Sequence, residues 1–104
     1  MKVMQRGIMK VAPGKMAEAM ALTEKLMALS SRYGMSTTGA RMYRPFTGGG
    51  DAMHTVVMEI EWDSLTEMAA FFEKMMADPE MQALTPKWET ILESHEVELY
   101  VVMS

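Results

Sequence analysis

The chain has 104 residues, enough for one domain built around a single core. Its net charge of −4, with basic residues scattered one at a time, excludes the basic stripe of a nucleic-acid binder. With no cysteine and no apolar run near membrane-spanning length, disulfide scaffolds, thiolate metal sites, thiol catalysis and a membrane helix are excluded too.

The opening MKVMQRGIMKV lacks an apolar run followed by a small-residue cleavage site, so a cytoplasmic protein is expected, one domain over residues 1–104. Residues 2–11 read as a strand with Met4, Arg6, Ile8 and Lys10 on one face. Val3, Gln5, Gly7, Met9 and Val11 take the other. Pro13 then stands where a helix starts. Ala19, Leu22, Leu26, Leu29 and Tyr33 recur at spacings of three and four, and Met16, Met20 and Met27 widen the stripe. Gly34 is a usual helix stop.

Residues 36–44 read as a second strand, and PFTGGGDA, residues 45–52, as a turn or mobile loop. Its Thr47-Gly48-Gly49-Gly50-Asp51 lacks the Lys-Ser/Thr of a phosphate-binding loop and ends in an acid. Residues 53–62, MHTVVMEIEW, alternate strictly. His54, Val56, Met58, Ile60 and Trp62 form a dry face, and Thr55, Val57, Glu59 and Glu61 a mixed one. Ser64 and Glu67 make a capping box that opens a second amphipathic helix carrying Leu65, Met68, Ala69, Phe72, Met75 and Met76. Asp78-Pro79 breaks that helix, and Thr85-Pro86 is expected to break and restart it again before Trp88, Ile91 and Leu92. Residues 95–103 are the last alternating strand.

This β-α-β-β-α-β order predicts an α+β, ferredoxin-like fold: a four-stranded antiparallel sheet with its helices on one face. The uncovered face then collects Met4, Arg6, Ile8 and Lys10; Thr37, Gly39, Arg41 and Tyr43; Thr55, Val57, Glu59 and Glu61; and Glu96, Glu98, Tyr100 and Val102. Met4, Ile8, Tyr43, Val57, Tyr100 and Val102 make it too apolar for a solvated surface. A homodimer is expected, with two sheets facing each other to close an α/β barrel.

The strand running into Pro13-Gly14-Lys15, the strand end Glu61-Trp62-Asp63-Ser64 and the segment Asp78-Pro79-Glu80-Met81-Gln82 carry a family resemblance. Over about residues 3 to 102 the chain resembles the dimeric α/β-barrel superfamily, in its antibiotic-biosynthesis-monooxygenase-like and NIPSNAP-like branches. The resemblance implies a dimer with an internal cavity. It transfers no mechanism, because members include cofactor-independent monooxygenases, haem-degrading enzymes and proteins with no assigned activity. Haem-degrading members ligate iron through a histidine on the second helix, and Ser64 to Ala77 contains none, so no cofactor is expected. Quinone-forming members use Asn, Trp and His to hold a phenolate. This chain has no Asn, and Trp62 and His54 fall on the helix-facing side.

The ligand-binding candidates are therefore Arg6, Arg41, Tyr43, Glu59, Glu61 and Tyr100. Glu59 and Glu61 read either as a general acid/base pair or as charge partners for Arg6 and Arg41. Tyr43 and Tyr100 read as ring-binding or proton-donating groups, or simply as interface side chains. His54 and His95 have no partner at ligand spacing, so no metal is expected. The fifteen methionines read as flexible core filler rather than a soft-metal site. Two functions stay open. One is a homodimer binding a small, partly aromatic molecule in its cavity, with cofactor-independent monooxygenation as the activity. The other is a non-catalytic module whose sheet face only dimerises. Neither involves nucleic acid or membrane.

Overall fold

The computed structural model describes residues 1–35, 40–49 and 51–103. Strand β1 (Val3–Val11) leads to helix α1 (Met16–Arg32), strand β2 (Ala40–Tyr43) and a short 3-10 turn (Ala52–His54). Strand β3 (Thr55–Trp62), helices α2 (Leu65–Ala77) and α3 (Pro79–Ile91) and strand β4 (Leu92–Val101) follow. The sheet is antiparallel in the order β2-β3-β1-β4. This is the expected α+β, ferredoxin-like architecture. Of the second-strand expectation, Thr37 and Gly39 lie outside the described residues, as does Gly50 of the loop.

Three boundaries differ from the sequence reading for a local reason, and a fourth, the start of β4, falls at Leu92 rather than His95 because Leu92 already pairs with Val11 of β1. Pro13 does not start α1. The Lys15 amide donates to Ala12 O at 3.1 Å and Gly14 sits at φ +80°, so Pro13 and Gly14 occupy the two central positions of a tight turn. Pro86 does not interrupt α3. Both Pro86 and Gln82 are exposed, so the Gln82 carbonyl that loses its helical partner is open to water. At the start of β3, the His54 amide bonds Asp51 O at 2.9 Å and Thr55 Oγ1 bonds the same carbonyl at 2.7 Å. Met53 and His54 are thereby drawn out of the strand, so His54 has no place on its dry face.

Other expectations hold in detail. Ser64 Oγ accepts from the Glu67 amide at 3.1 Å and caps α2. Gly34, at φ +88°, follows α1 in the left-handed conformation open to glycine. Asp78 both ends α2 and opens α3, its Oδ1 accepting from the amides of Glu80 at 2.7 Å and Met81 at 3.4 Å. Its Oδ2 takes the Tyr33 hydroxyl, which ties α1 to the α2–α3 junction.

The core lies between the helices and one sheet face: Val3, Met9, Val11, Val56, Ile60 and Trp62 below, Leu22, Leu29, Phe71, Met75, Leu84 and Ile91 above. Trp62 anchors it. Its ring lies 5.0 Å from Phe71 and 5.8 Å from Phe72, and its Nε1 donates to Gln5 Oε1 at 3.1 Å. The helices stop short of β4, where Val97, Leu99 and Val101 on the helix side stay 52%, 52% and 58% exposed. Among the described residues no helix is long and apolar enough to cross a membrane.

Candidate functional site

Strand register brings the candidate residues of the uncovered face into rows. Arg41 lies opposite Glu59, Glu59 opposite Arg6, and Arg6 opposite Glu98. Read across β2-β3-β1-β4, the middle row alternates charge: plus, minus, plus, minus. The flanking rows are mixed: Glu61, Met4 and Tyr100 on one side, Tyr43, Val57, Ile8 and Glu96 on the other.

The ion pairs expected from that alternation do not close. Among the described residues, neither Arg6 nor Arg41 comes within 4.0 Å of a carboxylate, and Glu61 instead meets Lys2 at 3.4 Å. Register sets where the Cβ atoms lie, while side-chain entropy and water decide whether exposed charges meet. Arg6 keeps one buried atom, Nε, with no hydrogen-bond partner among the described residues. The Glu98 carboxylate beside Tyr100 raises the phenol above its ordinary value of 10.0, with burial adding and Arg6 opposing. Tyr100 is therefore a protonated donor at neutral pH. Asp51, the acid closing the glycine loop, pairs with Lys10 at 3.2 Å, and Glu93 meets the same ammonium at 3.5 Å.

Four of the six candidates share one recess. Arg41, Tyr43, Glu59 and Glu61 line an open depression of about 530 Å³ at the β2–β3 side, with Met4, Trp62, Asp63 and Glu67 completing much of its wall. Arg6 and Tyr100 lie outside it, on β1 and β4 of the same sheet face.

A second, smaller cavity of about 180 Å³ opens on the other side, between the sheet and the helices. Its walls are Leu26, Ile60, Phe71, Phe72 and seven of the fifteen methionines, among them Met9, Met58, Met75 and Met81. Gln5, Ser30 and His95 are its polar side chains. Met35 and Ile60 line both recesses, so the two adjoin there. This cavity was missed in the sequence. The methionines looked dispersed because they belong to different elements, and the one available signal was their repeated place on core-facing positions. His95, at a strand start by sequence, lies well inside β4 on its helix side. Its Nε2 would be only 3.4 Å from a Cβ placed on Gly7.

No family model matches the chain, and no curated protein matches it in sequence. Solved structures do match. A NIPSNAP family protein from Agrobacterium tumefaciens is 20% identical with a TM-score of 0.82, over 98% of this chain and 86% of that one. A NIPSNAP domain protein from Burkholderia xenovorans is 25% identical with a TM-score of 0.76, over 100% of this chain and 96% of that one. A mutant of SnoaB, a cofactor-independent oxygenase from Streptomyces nogalater, is 12% identical with a TM-score of 0.71, over 99% and 94%. The chain has the fold that NIPSNAP and antibiotic-biosynthesis-monooxygenase-like proteins share, in line with the superfamily resemblance of its sequence.

Proposed function

We propose that the protein works as a cytoplasmic homodimer that binds a small, partly aromatic molecule. Its apolar ring enters the cavity between helices and sheet, and its polar groups face Arg41, Tyr43, Glu59 and Glu61. The observation that carries this reading is the shared wall at Met35 and Ile60, where a charged recess adjoins an apolar one. Ligand sites commonly combine an apolar body with a few convergent polar groups in this way. A second copy laid over the uncovered face would close the charged recess and bring acceptors toward Arg6 Nε, a buried donor with no partner among the described residues. Arg6 and Tyr100 belong to that contact.

The activity we propose is oxidation of the bound molecule by dioxygen without a cofactor, dioxygen taking up the electrons, since the Streptomyces nogalater neighbour is a cofactor-independent oxygenase. Glu59 and Glu61, both lining the charged recess, are the bases this chain offers for removing a substrate proton. The test is native mass spectrometry of the protein purified from cells, followed by oxygen uptake with the ligand it retains. A dimer carrying a small molecule is expected, with binding lost in Arg41→Ala and Glu59→Ala while the dimer persists. A ligand-free dimer that binds nothing in either form would leave only the dimerisation module. That alternative draws support from the exposed Tyr43, Tyr100 and Val102 on the sheet face.

A further inference from the structure

The space between helices and sheet restricts what can enter it. An apolar cavity of roughly 150 Å³ is enough to hold benzene. At about 180 Å³, this one has room within its walls for a single six-membered ring and one or two further heavy atoms, and a second or third fused ring would have to project through its mouth.

Its chemistry narrows the choice again. Among the described residues no Lys, Arg, Asp or Glu lines the cavity and His95 is its one titratable side chain, so a charged group entering it would leave water without a fixed counter-charge. The walls are thioethers and aromatic rings, and methionine sulfur favours contact with the edge of an aromatic ring while its chain adapts to irregular shapes. The polar groups are few and already partly committed. Gln5 Oε1 accepts from Trp62 Nε1, which leaves the Gln5 amide hydrogens as donors. Ser30 Oγ donates to Leu26 O at 2.8 Å, which leaves its lone pairs as acceptors. His95 stands over Gly7, the residue whose missing side chain makes room for the imidazole.

From this geometry we propose that the cavity admits one neutral aromatic ring carrying a single hydrogen-bonding substituent, held by thioether contacts. The proposal rests on the reading that the ligand's ring enters this cavity, and it adds the size and charge class. These seven methionines are then the walls of a binding site rather than core filler.

The test uses the full chain labelled with 13C at the methionine methyl groups and titrated with 4-methylphenol, 4-methylbenzoate and anthrone. With 4-methylphenol, saturable shifts are expected at Met9, Met58, Met75 and Met81, while the exposed Met1, Met53 and Met103 stay in place. The benzoate should bind at least tenfold more weakly. Met76→Trp, which adds bulk at an exposed rim position, should weaken 4-methylphenol at least fivefold, and Met27→Phe serves if that variant fails to fold. Tighter binding of three-ring anthrone at the same methyl groups would overturn the size class and leave the cavity as the ligand seat. Shifts that appear on raising protein concentration without any probe would assign the cavity to a second copy and overturn the proposal. No shift with any probe up to its solubility limit would overturn the cavity as a ligand seat altogether.

Discussion

Asp78 shows how one carboxylate can join three helices. The Tyr33 hydroxyl bond holds it below its ordinary value of 3.8, and the Glu80 and Met81 amides act in the same direction against burial. A depressed carboxylate contributes stability above its unfolded value and loses it as pH falls through the lower folded value. The urea midpoint of the protein should therefore fall on acidifying below pH 3.8, and Asp78→Asn, which keeps an acceptor but no charge, should fall less steeply. Equal pH slopes for the two proteins would refute that role. Trp62 poses the opposite case, a neutral donor inside the core. Gln5→Leu leaves its Nε1 without its acceptor and should cost about 1–3 kcal/mol. Phe71→Ala, at 6% exposure and against the same indole, should cost about 3–5 kcal/mol. Denaturant titration ranks the two.

Among the elements, the helix boundaries depend on single polar groups. Ser64→Ala removes the acceptor for the Glu67 amide and should destabilise by about 1 kcal/mol in the same assay. Pro86 is a different kind of element feature. Replacing it with Ala returns a backbone donor to α3 beneath Gln82, and should stabilise the protein by about 1–3 kcal/mol. A loss of stability would mean that the proline ring packs in a way its exposure does not suggest. Helix starts and stops were largely legible because capping chemistry is local: Ser64, Gly34 and Asp78 each act within a turn of their own position. Pro13 and Pro86 misled for the same reason in reverse. Proline fixes one φ angle and removes one donor, and whether that begins, ends or merely decorates a helix depends on the carbonyl that loses its partner.

On the scale of the whole molecule, the uncovered sheet face decides the assembly. Tyr43 and Val102 are 43% and 39% exposed in the single chain, so the paired change Tyr43→Lys and Val102→Lys spares the protomer core. Under the proposed assembly it should convert a dimer to a folded monomer, read by native mass spectrometry and circular dichroism. A dimer that survives would move the interface off this face.

Which side chains share a face was determined by the sequence alone, because strand alternation has a period of two and needs no knowledge of the rest of the chain. Arg6, Arg41, Glu59 and Glu98 therefore share the uncovered face, and the strand register then sets them in one row. Tertiary structure decided what those faces do. Whether Arg6 meets Glu59 depends on rotamers and water, and Glu61 turns to Lys2 instead. The methionine-walled cavity exists only where α1, α2 and α3 settle together on β1 and β3, which no local pattern records. Periodicity acts between neighbours in sequence; a cavity is made by residues that meet only after the chain has folded.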